Sequence, residues 1–288
     1  MKKGKRKRVA TDIGPLTRIG LELSQGWAIM VQDVKTYYLS TPIIMWGLLM
    51  PFFLFLPLLM QEGMTLQKGV VSLLATITFL TASSIGPVIL PLERRTRTYD
   101  RLLVAPISLV TILLAKSLVG VLFCLGVSVV SLVIGLVFFN INITSLTLLL
   151  VSIILSALAF SALGILFASG TAQSPGKVLM PTMLLRWPLL FISGVFVPLE
   201  KMAPWVRALG YVSPLTYAQD LISHAVLGVG AVGSAVVVKP CGRILEGYET
   251  LMAGARSPQL DMAILLCLTV LFYLPALKLH ERSRRLGY

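Results

Sequence analysis

Residues 93–108 read ERRTRTYDRLLVAPIS, and six of the first nine are charged: Glu93, Arg94, Arg95, Arg97, Asp100 and Arg101. Immediately before them runs VVSLLATITFLTASSIGPVILPL (70–92), and immediately after comes LVTILLAKSLVGVLFCLGVSVV (109–130). Each flank matches the ~20 apolar residues that a helix needs to cross about 30 Å of hydrocarbon. A charged stretch between two such runs is therefore a hinge at one membrane face. Its reading sets the class: an all-α polytopic membrane protein.

Composition agrees. Of 288 residues, 56% are hydrophobic and 13% charged, too few polar groups to clothe a soluble domain. Six stretches are expected to span: Ser40–Met60, Val70–Leu92, Leu109–Phe139, Leu146–Ser169, Val178–Val197 and Asp261–Leu279. The third exceeds the membrane thickness and should tilt or protrude. None shows the alternating polarity of a β-barrel strand.

The net charge of +13 is asymmetric. With six spans both termini share a side, and placing them in the cytoplasm puts seventeen Lys/Arg inside and six outside. That excess orients the chain, and the plasma membrane is its expected location. Lys116 and Arg186 fall within spans. KKGKRKR (2–8) is read as a topology signal touching anionic lipid rather than as a nucleic-acid patch. No secretory signal is expected, because a polar amphipathic stretch follows the basic start. Cys124, Cys241 and Cys267 form neither a disulfide framework nor a metal-ligand spacing.

Residues 1–39 are expected as a basic tail and an interfacial helix, and 40–288 as the membrane domain. Leu16, Ile19, Leu23, Trp27, Met30, Val34 and Tyr37 recur at helical steps, with Arg18, Glu22, Gln25 and Asp33 largely opposite. Such a helix suits the inner leaflet or a face against another subunit. The connection 198–260 is different: its first half is semi-apolar with two proline breaks, suggesting two short helices re-entrant from the outer face. Its second half reads as a polar outer loop.

Absences narrow the function. No Asp or Glu lies inside an expected span, Asp261 standing only at an edge, which disfavours ion coupling. Two histidines, no HExxH and no nucleophile elbow argue against catalysis. GTAQSPGKV (170–178) fails as a phosphate loop in both its glycine spacing and its Val178, and is a turn.

The hinge resembles the cytosolic coupling segment of ABC-2-type permeases, the membrane subunits of a class of ATP-driven exporters. Glu93, Arg94, Thr98, Arg101, Leu102, Leu103, Pro106, Ile107 and Ser108 match that pattern. Arg97 stands where the family has Gly, Tyr99 for Leu and Asp100 for Glu. Tyr99, Leu102 and Leu103 could form an apolar side for a docked partner. A second block, FISGVFVPLEKMAPWVRALGYVSPLTYAQDL (191–221), is similar through Ser193, Gly194, Pro198, Pro204, Trp205, Pro214, Leu215, Thr216 and Tyr217. Ser213 replaces an Asn there, and Ser223 stands where an Arg is common.

The resemblance implies six membrane helices, a coupling helix at 93–108 and re-entrant helices before the last span. It also implies a second permease subunit and cytosolic ABC ATPase subunits as partners. Carrying no ATP-binding motif, this chain would be the non-catalytic half, with no cofactor and no metal of its own. The expected cargo is amphipathic or lipid-linked. An ion-coupled carrier and a membrane scaffold or assembly factor are the rival readings.

Arg186 lies about 12 Å into the fifth span, counted at 1.5 Å per residue. An Arg near the bilayer centre costs about 2.5–3.5 kcal/mol on insertion scales. It either reaches headgroups or freed carbonyls, or lines the substrate pathway and attracts an anionic group on the cargo.

Overall fold

The computed structural model describes residues 15–35, 49, 53, 66–99, 102, 107–139, 143–169, 175–196, 202–228 and 257–285. Every element among them is helical: α1 (Pro15–Asp33), α2 (Leu66–Ser83), α3 (Ile85–Arg95), α4 (Leu109–Phe139), α5 (Leu146–Phe167), α6 (Pro175–Ile192), α7 (Pro204–Val212), α8 (Pro214–Leu227) and α9 (Pro258–Arg285).

Four helical stretches are long and apolar enough to cross a membrane: Gln67–Arg95, Leu109–Leu136, Leu146–Phe167 and Pro258–Arg282. The expected first span, Ser40–Met60, falls outside the described residues except for Leu49 and Phe53. The expected fifth is α6, which ends at Ile192 and does not join those four. Lys177, Arg186, Pro175, Pro181 and Pro188 dilute its apolar run.

α5 is the centre of the bundle and packs against α2, α3, α4, α8 and α9. Its residues are apolar nearly all round, as a helix enclosed by neighbours requires. Ser145 caps it by accepting the Leu148 N–H at 3.3 Å. The same serine donates its own N–H to the Ala225 carbonyl at 3.0 Å, and Thr144 Oγ1 donates to the Val226 carbonyl at 3.0 Å. These bonds fix the start of α5 to the end of α8, which Gly228 closes at φ +73°.

The Gln67–Arg95 stretch is broken. Ser84 N–H donates to the Thr81 carbonyl, one residue short of the helical Leu80 carbonyl, and Pro87 has no N–H to continue the ladder. α2 and α3 meet at this break. Hydroxyls along α2 are satisfied within the helix: Thr76, Thr78, Thr81 and Ser83 each donate to the carbonyl four residues back. Just beyond the break α3 crosses α5 at backbone contact. A Cβ on Gly86 would sit 2.3 Å from the Gly164 oxygen, and one on Gly164 would sit 2.5 Å from the Ser83 oxygen. Small residues at both positions allow that approach.

α1 packs along α4, with Ile29 against Ile112 and Ala115, and Met30 near Ile85, Ile89 and Val119. Helical periodicity placed Trp27 with the apolar residues and Asp33 with the polar ones. In the structure Trp27 is 65% exposed, while Asp33 is buried. Asp33 turns inward because α4 offers it a cation there, while Trp27 keeps its ring on the outer side.

Candidate coupling site

α3 ends where the hinge begins. Thr96 N–H donates to the Leu92 carbonyl at 3.0 Å, and Arg97 N–H to the Arg94 carbonyl at 3.2 Å. Arg97 has φ +56°, the left-handed conformation that ends many helices and that Gly adopts most easily. Arg97 occupies the position where the coupling pattern has Gly. The backbone keeps that turn although the side chain disfavours it.

Two internal anchors hold the hinge. In the first, Lys116 Nζ donates to Glu93 Oε1 at 2.6 Å and to Asp33 Oδ2 at 3.1 Å. Lys116, Glu93 and Asp33 are all at least 96% buried, so the last residue of α1, the last turn of α3 and the eighth residue of α4 meet around one ammonium. In the second, Tyr99 Oη lies 3.1 Å and Arg94 Nη2 3.4 Å from His280 Nδ1. The Arg94 guanidinium also lies 5.4 Å from the centre of the Tyr99 ring. His280, on the last helix, is buried.

The sequence-derived hinge residues therefore separate into two groups. Glu93 and Tyr99 are buried, Arg94 is half-buried, and Leu102 is half-buried against Ile29, Ile112 and Ala115. Arg95, Thr96 and Arg97 are exposed, with Thr98 Oγ1 at 3.0 Å from Thr96 Oγ1. The apolar side of the hinge turns toward the bundle, and a basic turn is left facing out. Arg101, Leu103 and Pro106 lie outside the described residues.

Asp33 and Lys116 were not among the site residues read from sequence. An intramembrane lysine demands a partner, and that signal was available. Its partners stand 83 and 23 residues away, a separation that no local pattern bridges.

Arg186 turns its guanidinium onto the break between α2 and α3. Nη2 donates to the Leu80 carbonyl at 2.5 Å and to Ser84 Oγ at 2.9 Å, and the group lies 5.9 Å from the Phe79 ring centre. The carbonyl it takes is the one the break releases on α2, not one released by the prolines of its own helix.

In the second block, Thr216 Oγ1 donates to the carbonyls of Gly210 at 2.6 Å and Ser193 at 3.1 Å. Tyr217 Oη donates to the Tyr211 carbonyl at 2.6 Å. Gly194 has φ +90° beside the buried Ser193. Pro204 opens α7 with Trp205 70% exposed beside it, and buried Pro214 opens α8. Ser193, Thr216 and Tyr217 are brought together at the end of α6 and the junction of α7 with α8, whereas Pro204 and Trp205 stand at the other end of α7; Pro198 lies outside the described residues. Nearby, ligand atoms of Asp220, His224 and Asp261 lie within 4.8 Å of one another, and this group could hold a metal ion.

Helices long and apolar enough to cross a membrane, a bonded basic hinge between two of them and a bundle centred on α5 are the features of a polytopic membrane protein. Residues 24–227 match the sequence model of the ABC-2 type transporter family, and the chain belongs to that family. Its curated relatives include the "Probable multidrug ABC transporter permease YbhR" of Escherichia coli K12 and of E. coli O157:H7. Identity to each is 24% over 157 residues, which covers 54% of this chain and 42% of the relative. The chain thus matches less than half the length of these relatives.

Proposed function

We propose that this chain is the non-catalytic membrane subunit of an ATP-driven exporter. It would pair with a second permease subunit and carry amphipathic or lipid-linked cargo out of the cytoplasm across the plasma membrane. In this reading both termini are cytoplasmic, six spans form the domain and α7–α8 are re-entrant from the outer face. The hinge at 93–108 receives a cytosolic ABC ATPase. The observation that carries the reading is the family match over residues 24–227, which contains the whole hinge. The exposed Arg95–Arg97 turn, held from behind by two anchors, is the surface offered to the ATPase. Arg186 then serves chiefly to hold α6 on the break in the second span.

Co-purification tests the reading. The wild-type chain, purified from the membranes of its own cell, should bring an ABC ATPase out of detergent extracts. Arg95→Glu with Arg97→Glu should abolish the association while leaving the amount of chain in the membrane unchanged. Retained binding in the double variant would exclude this surface. A wild-type chain that carries no ATPase would favour a carrier or a scaffold.

A further inference from the structure

The Lys116 cluster is a costly way to hold three helices together. Desolvating an ammonium and two carboxylates consumes most of what their attraction returns, and apolar replacements of such clusters are often as stable. α1 is already held to α4 and α3 by Ile29, Met30, Ile112, Ala115, Ile85 and Ile89. Those apolar contacts are non-directional and tolerate sliding. Charge-assisted hydrogen bonds to one nitrogen do not, because they fix register.

We infer that Lys116 is a positioning residue of the hinge. By bonding Glu93 and Asp33 at once, it makes α1, the end of α3 and the inner part of α4 move as one body when the hinge is displaced. The inference rests on the exporter reading, since the displacement comes from the ATPase. It adds a route by which the stroke reaches α1, the helix preceding the expected first span.

Asp33→Ala isolates this role. Alanine offers the Lys116 ammonium no acceptor, so it cuts the branch to α1 yet leaves Lys116 and Glu93 as a neutral, hydrogen-bonded pair, and no buried charge is stranded. The complex with its ATPase is compared without nucleotide and after trapping with ATP and vanadate, by hydrogen-exchange mass spectrometry. In the wild type, peptides from 15–35 and from 93–108 should both change protection on trapping. In Asp33→Ala the hinge peptide should still respond, and the response of the α1 peptide should be lost. Lys116→Arg, which can serve both carboxylates, should retain it. Should Asp33→Ala fail to accumulate, Lys116→Met cuts both branches and should show the same loss. An α1 response of wild-type size in Asp33→Ala or in Lys116→Met overturns the inference. So does a wild-type complex in which the hinge responds and α1 does not. Failure of the wild-type chain to bind any ATPase overturns the exporter reading first and this inference with it.

Discussion

Gly86→Ala tests the crossing that positions α3, and through α3 the hinge. The added methyl carbon would lie 2.3 Å from the Gly164 oxygen, 2.4 Å from its carbonyl carbon and 2.6 Å from Ile165 N. All three are backbone atoms of α5, so no side chain can swing away. Restoring an ordinary contact requires the helices to part by about 1 Å, and overpacking of this kind costs about 1–3 kcal/mol. Because backbone atoms cannot swing aside, the cost sits in the upper half of that range; replacing a helical glycine recovers about 0.5–1 kcal/mol, for a net loss of about 1–2.5 kcal/mol. Gly126 supplies the control, because a Cβ there meets nothing within 4 Å. Gly126→Ala should therefore be neutral or stabilising by up to about 1 kcal/mol. Denaturant titration of the purified chain in mild detergent, followed by tryptophan fluorescence, measures both. The two midpoints should bracket the wild type, Gly86→Ala below and Gly126→Ala at or above it. A Gly86→Ala protein as stable as the wild type would refute the close crossing and the placement of α3 that depends on it.

Two further outcomes follow from the hinge turn and from Arg186. At Arg97, whose left-handed backbone costs a non-glycine residue about 1–2 kcal/mol, Arg97→Gly should be at least as stable as the wild type and Arg97→Val less stable than either, by the same titration; equal stability of the Gly and Val variants would deny the positive φ. Arg186→Gln loses two hydrogen bonds from a charged donor, about 3–6 kcal/mol together, and sheds a membrane insertion cost of about 2.5–3.5 kcal/mol, so stability should lie between that of the wild type and about 3 kcal/mol below it. Export by that variant, measured in inverted vesicles with acidic and neutral dyes, should fall alike for both; a loss confined to acidic dyes would place Arg186 on the pathway instead.

The apolar runs were legible because length and hydropathy alone decide them. Leu109–Phe139 is a helix over the residues expected, and Leu146–Phe167 differs from its expectation by two residues at one end. The break at Ser84 was not read, although Ser83, Ser84 and Pro87 stand there, since membrane helices often carry such residues without breaking. α7 and α8 could be anticipated from Pro204 and Pro214, which preset the first turn of a helix. On α1, periodicity marked Asp33 as polar but did not show that it is buried. Periodicity sorts residues by polarity, whereas burial of Asp33 is decided by a lysine on another helix. The same holds for the hinge: its pattern identified the segment, but which side chains turn inward depends on His280 and Lys116, both remote in sequence.

In a chain with so few charges, the placement of those at the hinge bears on how it could work. A lever needs a contact surface at one end and a stiff attachment at the other. Glu93 and Arg94 are adjacent in sequence, yet they reach different helices: Glu93 to Lys116 of α4, and Arg94 to His280 of α9. Their neighbours Arg95 to Arg97 remain exposed. A segment anchored to both α4 and α9 cannot rotate about one attachment without straining the other. A push on the exposed turn is thereby carried into two helices at once, and through Asp33 into a third. A plain basic loop that served only the orientation of the chain would need the exposed arginines and none of the buried partners. The buried half of the hinge is what favours a force-bearing role over a topological one.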